Sequence, residues 1–253
     1  MDERRISSLA VVGARGQMGF LFCRLARERG ITVFALSRPL SGGQFEQALA
    51  ECDLALLCVP VTAMRETLEL VAPRLAPQAI LADICSVKEL PLAWMLEAFA
   101  GPIAGTHPLF GPNPPQSPTP KVAVVPGRDE TAAPAVLDFW RGLGFEAFTT
   151  TAEEHDRAMA FVQALNFATT VALLASMRSE PQIERFVTPS FRRRLDSARK
   201  MLTEDREMFE TISGANPYLQ ETVRRFRDYL GVAAGGDLDL LAERAAWWFA
   251  GRK

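Results

Sequence analysis

The stretch Leu9-Ala10-Val11-Val12-Gly13-Ala14-Arg15-Gly16-Gln17-Met18-Gly19 decides the fold. Four apolar residues ending at a glycine read as a buried strand, and Gln17 to Arg29, closed by Gly30, carries helical periodicity. The glycines occupy the first, fourth and seventh places (GxxGxxG), a variation on the GxGxxG fingerprint of dinucleotide sites. Gly13 is expected to make the tight turn, Gly16 to let the backbone approach a pyrophosphate at the helix N-terminus, and Gly19 to allow close helix–strand packing. The expected cradle is therefore Gly13, Ala14, Arg15, Gly16, Gln17 and Met18.

Working outward, the same rhythm continues. Thr32 to Leu36, Leu54 to Val59, Ile80 to Asp83, Pro102 to Thr106, Val122 to Val125 and Glu146 to Thr149 read as strands. Most are too uniformly apolar to have a wet face. With helical patterns such as Thr62 to Ala72 between them, they imply a parallel sheet covered on both faces. After Thr151 strand signals stop, and helical periodicities follow over Ala152 to Met177, Ser190 to Ile212, Pro217 to Tyr229 and Leu238 to Phe249. The expected architecture is α/β: an N-terminal Rossmann-type dinucleotide-binding domain over residues 1–150, then an all-helical domain over 151–253 for substrate binding and dimerisation. Pro108 to Pro120 holds six prolines in thirteen residues, which excludes helix and implies a stiff loop.

Composition removes several function classes. The 253 residues carry 28 Lys+Arg against 30 Asp+Glu, a net charge of −2, without the basic excess that a phosphate-backbone binder needs. The four cysteines lack both CxxC spacing and the density of a disulfide scaffold, which fits a reducing compartment. Two histidines make a zinc site hard to assemble, so no metal is expected. The charged N-terminus is not a secretory signal, and a cytoplasmic location is expected. Ala158 to Met177 offers twenty uncharged residues, the length of a spanning helix. Gln163, Asn166 and Thr170, however, draw a polar stripe that suits a helix lining a polar pocket, so no membrane partner is expected.

Cofactor choice is written at the end of the second strand, where an acidic side chain would bond the ribose 2′-hydroxyl of NAD. Ser37-Arg38 stands there instead. A hydroxyl and a guanidinium suit a 2′-phosphate, so NADP is favoured over NAD, while a solvated turn arginine is the bland alternative. Val59-Pro60, at another strand's carboxyl end, is expected along the same crevice. Two further strand ends carry polar residues, Ser86 and His107, which would converge on the nicotinamide. Imidazole is the side chain best suited to proton exchange near neutral pH.

These segments, taken together, resemble a known family. Gly13 to Gly19, Asp83…Ser86-Val87-Lys88, Gly105-Thr106-His107-Pro108-Leu109-Phe110-Gly111-Pro112, Glu154-His155-Asp156 and Gln163-Ala164-Leu165 stand in the order found in prephenate dehydrogenases. The likeness is greatest to the dehydrogenase portion of the bifunctional chorismate mutase/prephenate dehydrogenases of enteric bacteria. It implies oxidative decarboxylation of a cyclohexadiene, with hydride leaving ring C4 for the nicotinamide. His107 would take the proton of the 4-hydroxyl and Ser86 would hydrogen-bond the same group. The family's carboxylate-binding arginine falls on Arg192, after Thr188-Pro189-Ser190-Phe191, although Arg192, Arg193 and Arg194 cannot all face one pocket. His155 and Asp156 are shared too, and capping or packing is the expected role for them rather than chemistry.

The chain also departs from its relatives. Two residues after Gln163-Ala164-Leu165, where the enteric enzymes place a second pocket histidine, stands Phe167, following Asn166. Phenylalanine donates no hydrogen bond, so the substrate's side-chain end is held differently or the substrate differs. Gln163, Asn166 and Phe167 are accordingly expected to line the substrate pocket, and arogenate or 4-amino-4-deoxyprephenate are alternatives to prephenate. A fused mutase domain is not expected. A non-catalytic dinucleotide-binding protein is the reading from another class. The apolar helices and the Trp247-Trp248-Phe249 cluster point to a homodimer.

Overall fold

The computed structural model describes residues 4–180 and 182–250. Two compact units emerge, one ending at Met159 and the other starting at Ala160. The first contains strands β1 (Ser8–Val12), β2 (Thr32–Leu36), β3 (Leu54–Leu57), β4 (Ile80–Asp83), β5 (Ile103–Pro108), β6 (Lys121–Pro126) and β7 (Glu146–Thr149). Its helices are α1 (Gln17–Glu28), α2 (Gly43–Glu51), α3 (Met64–Val71), α4 (Glu89–Ala98), α5 (Ala132–Gly142) and α6 (Ala152–Met159). The strands form one sheet in the order β2-β1-β3-β4-β5-β6-β7.

Strand residues alternate between two cores, as the period of two requires. Leu9, Val11, Leu54 and Leu56 face α1 and α5, meeting Phe22, Phe139 and Trp140. Ala10, Val12, Ala55 and Leu57 face the other way, toward Phe45, Leu49, Met64, Leu68 and Met95 of α2, α3 and α4. Phe22 and Trp140 meet edge to face at 4.9 Å between centroids. Burial on both faces explains why these strands are continuous apolar runs.

One pairing departs from the parallel expectation: β6 pairs antiparallel with β5, from Ala104↔Pro126 to Pro108↔Val122, and β7 pairs parallel with β6, so both run against β1–β5. This pairing extends β5 two residues past its anticipated end at Thr106, so His107 is itself part of the ladder, opposite Ala123. The proline-rich residues 109–120 connect the two strands without regular structure.

The second unit holds a π-helical turn (Ala160–Leu165) and helices α7 (Asn166–Ser176), α8 (Pro189–Thr203), α9 (Arg206–Ala215), α10 (Leu219–Ala234) and α11 (Leu238–Ala246). The stretch anticipated as one helix from Ser190 to Ile212 is two, broken after Thr203. The units divide at Met159 rather than at residue 151, because α6 packs on α4 and Asp156 caps that helix. The helical run Ala152–Ser179 is long and apolar enough to cross a membrane by length and composition. Its first turns bury His155 and Asp156, and Phe167 stacks on Phe209 of α9 at 5.3 Å, while 28% of its most apolar stretch is buried.

Candidate active site

The first βα turn has the geometry its glycines call for. Gly13 has φ +94°, a conformation that L side chains rarely adopt, and a Cβ there would meet the Cys58 carbonyl oxygen at 2.3 Å. A Cβ on Gly19 would meet the Gly13 carbonyl oxygen at 2.3 Å. The turn and the first helical residues are thus packed backbone on backbone. Gly16 is the N-cap of α1 and offers no side-chain acceptor to the helix's leading N–H groups. A helix N-terminus so exposed, with no acidic residue in its first turn, is suited to an anion such as a pyrophosphate. The residues present therefore fit a dinucleotide, which Gly13, Ala14, Arg15, Gly16, Gln17 and Met18 would cradle.

At the end of β2, the Arg15 N–H donates to Ser37 Oγ at 3.1 Å, tying the glycine turn to the second strand. Arg38 does not stand alone: its Nη2 lies 2.7 Å from Glu66 Oε2 of α3, both side chains being largely exposed. A cavity of about 490 Å³ is lined by Arg38, Pro39, Leu40, Glu66 and Leu70. Glu66 is a residue that sequence reasoning missed, since nothing in the chain order relates it to Arg38. Val59 and Pro60 follow β3, whose Leu57 pairs with Val12 beside the glycine turn.

Ser86 lies beyond the end of β4, and His107 lies within the last residues of the neighbouring β5. Asp83 at the end of β4 pairs with Gly105 of β5, which places Ser86 three residues past that pair and His107 two residues past it. The bend between them is held by a buried ion pair. Lys88 Nζ sits 2.6 Å from Asp83 Oδ2 and donates to the Thr106 carbonyl at 2.6 Å, with both charged side chains fully buried. Asp83 also accepts from Cys85 N at 2.8 Å. Lys88 therefore joins the end of β4, the end of β5 and the start of α4.

His107 is 3% exposed and has a partner the sequence did not suggest. Its Nδ1 lies 2.9 Å from Nε2 of His155 on α6, and His155 Nδ1 lies 2.7 Å from Asp156 Oδ1. The Asp156 carboxylate also accepts from the N–H groups of Lys88 (2.7 Å) and Glu89 (2.9 Å) at the start of α4. The expectation of a capping role is met by Asp156. His155 does more: it touches the candidate base. The 48-residue separation and the lack of a shared periodic pattern hid the pair; the presence of only two histidines in 253 residues was the available signal. Burial, then the neighbouring His155, then the Lys88 cation hold the His107 imidazole well below its ordinary 6.5, so it is neutral at physiological pH.

The remaining expected residues belong to the helical unit. Gln163 falls in the π-turn, its Oε1 buried without a hydrogen-bond partner among the described residues. Asn166 is exposed and Phe167 is buried against Phe209. Gln163 lies in the i→i+5 turn, outside the 3.6-residue period on which the stripe through Gln163, Asn166 and Thr170 was reckoned, while Asn166 and Thr170 lie in α7. Arg192 lies in the first turn of α8, whose N-cap Thr188 accepts from Phe191 N at 3.2 Å; Arg192, Arg193 and Arg194 are all exposed. π-turns occur often at functional sites.

The family model for the nucleotide-binding domain of prephenate dehydrogenase matches residues 41–122, which include Val59, Pro60, Ser86 and His107. The T-protein of Haemophilus influenzae is 30% identical over 211 residues, 82% of this chain and 56% of that protein. The 4-amino-4-deoxyprephenate dehydrogenase of Streptomyces pristinaespiralis is 30% identical over 181 residues, 64% of this chain and 60% of that protein. The chain thus spans little more than half the length of these curated relatives. In fold it is similar to the crystal structure of A. aeolicus prephenate dehydrogenase in complex with hydroxyphenyl propionate and NAD+. That match has a TM-score of 0.78 at 19% identity and covers 96% of this chain and 97% of the other. By sequence over most of its length, and with the fold to match, the chain is similar to prephenate dehydrogenases.

Proposed function

We propose that the chain catalyses the NAD(P)-dependent oxidative decarboxylation of a prephenate-type cyclohexadiene, converting prephenate to 4-hydroxyphenylpyruvate in aromatic amino acid biosynthesis. The observation that carries this reading is a buried, neutral His107 at the end of β5, one strand from Ser86 and on the sheet edge that also carries the glycine turn. His107 accepts the proton of the substrate's 4-hydroxyl as that oxygen becomes carbonyl-like. Ser86 hydrogen-bonds the same oxygen and orients it. Arg192 holds a substrate carboxylate, for which the planar guanidinium fork is suited. The nicotinamide, when bound, is the acceptor of the hydride from ring C4. Loss of the ring carboxylate as carbon dioxide leaves an aromatic ring, which makes the step downhill. Purified protein mixed with prephenate and NAD or NADP is expected to generate the absorbance of reduced nicotinamide. Silence with prephenate, arogenate and the 4-amino analogue alike would leave a non-catalytic dinucleotide-binding protein.

A second reading has its own support. Phe167 stands where the enteric relatives place a pocket histidine, and a 30% identical relative carries the name 4-amino-4-deoxyprephenate dehydrogenase. Comparing turnover of the three substrates under identical conditions separates these readings. For the cofactor, the Ser37-Arg38 pair supports NADP, with Glu66 competing for the guanidinium. We place the chain in the cytoplasm as a homodimer associated through its helical unit. Trp247, Trp248 and Phe249, exposed at 55%, 68% and 91%, supply apolar surface for that contact. Sedimentation at two protein concentrations tests the dimer.

A further inference from the structure

We propose that His155 and Asp156 are positioning residues for His107, holding its ring in the tautomer with a bare Nε2 and taking up the positive charge once a proton arrives there. The proposal rests on the reading of His107 as the proton acceptor and assigns a role to two neighbours that the reaction itself does not name.

The argument begins at the carboxylate. Asp156 is fully buried and fixed by the Lys88 and Glu89 N–H groups, and an ionised carboxylate can only accept. His155 Nδ1, 2.7 Å away, must then carry the hydrogen of that bond. In a neutral imidazole the other nitrogen is an acceptor, so His155 Nε2 presents a lone pair. The atom facing it at 2.9 Å is His107 Nδ1, which must therefore be the donor. A neutral His107 with hydrogen on Nδ1 has its lone pair on Nε2. One buried carboxylate thus fixes the tautomers of two rings in series and leaves a base at the far end.

The same chain has somewhere to put the charge. When Nε2 of His107 binds a proton, its Nδ1 proton can pass along the 2.9 Å bond to His155 Nε2. One proton has entered, His107 is neutral again, and the imidazolium is His155, with Asp156 2.7 Å away. The charged groups around the pair make that direction favourable. Lys88 is a cation close enough to His107 to disfavour a second one there, although Asp83 neutralises it in part. Asp156 is an anion in direct contact with His155. Moving the charge one ring outward exchanges a cationic neighbour for an anionic one. His107 pairs within β5, Asp156 caps α4, and His155 is on α6, so three elements hold the series in line.

Because the chain contains only two histidines, protein labelled with 15N-histidine gives an NMR spectrum of two imidazoles and needs no substrate or cofactor. Hydrogen is expected on Nδ1 of both rings, opposite to the preference of free histidine in water. Hydrogen on Nε2 of His107 would overturn the proposal whatever the turnover. In His155→Phe the His107 ring is expected to lose its single tautomer, and turnover to drop at least about tenfold with dinucleotide affinity unchanged. Unchanged His107 nitrogen shifts in that variant would overturn the proposal, while a role in packing alone would not move them. If both rings show Nδ1–H but none of the three cyclohexadienes is turned over, the positioning stands and the assignment of the reaction falls.

Discussion

Lys88 and Asp83 form a fully buried ion pair, Nζ to Oδ2 at 2.6 Å, and it sits at the bend that separates Ser86 from His107. Removing one partner strands the other charge without water. Lys88→Met is therefore expected to destabilise the protein by roughly 3–5 kcal/mol, while adding Asp83→Leu should recover a large part of the loss. Denaturant unfolding of the single and double variants measures both. A single variant as stable as the parent would mean that the pair adds nothing to folding.

His107→Asn retains a polar side chain but no titratable base. Turnover is expected to fall at least about a hundredfold with cofactor affinity spared. Steady-state kinetics alongside a dinucleotide titration checks the two halves of this expectation, and retained turnover would remove His107 from the mechanism.

The depressed titration of His107 has a sign for both activity and stability. Burial first, then His155 and Lys88, lower its pKa in the folded protein below 6.5. The base form thus persists into acid, and the acidic limb of kcat/KM is expected below pH 6.5. For folding, the unfolded chain binds a proton near pH 6.5 while the native imidazole does not, so stability falls as pH drops below 6.5 toward the lowered native value. Above 6.5 this group contributes no slope. Unfolding curves from pH 7.5 to 5, compared with those of His107→Asn, isolate its share.

Gly19 is closed to any side chain because the Gly13 carbonyl occupies the Cβ position at 2.3 Å. Gly19→Ala should push α1 away from the turn and weaken dinucleotide binding about tenfold or more, whereas Gly43→Ala, where a Cβ meets nothing within 4 Å, should leave it unchanged. Fluorescence titration of both variants gives the comparison.

Arg38 is paired with Glu66, and a phosphate at the end of β2 would compete for its guanidinium. Arg38→Ala is expected to weaken NADP more than NAD, and Glu66→Gln to strengthen NADP by freeing the guanidinium. The exposed pair is worth little by itself, so neither change should alter stability much. Equal effects on the two cofactors would mean that Arg38 does not reach the 2′ position.

Local pattern was sufficient for much of this molecule. Strand and helix positions in the first unit follow from apolar runs and glycine punctuation, and the roles of Gly13 and Gly19 follow from their spacing, because such features are set by residues adjacent in the chain. Ser86 and His107 were legible as strand-end polar residues for the same reason. Three things were not. The antiparallel β6 that carries β5 through His107 depends on pairing across a long proline-rich loop. The π-turn that holds Gln163 leaves no mark in a 3.6-residue pattern. The contacts that give His107 its partner, Arg38 its competitor and Asp156 its helix to cap join residues 48, 28 and 68 positions apart. Sequence by itself determined which elements form and which polar residues cap the strands; tertiary structure alone decided their protonation and their neighbours, because burial and charge are properties of what surrounds a group in space.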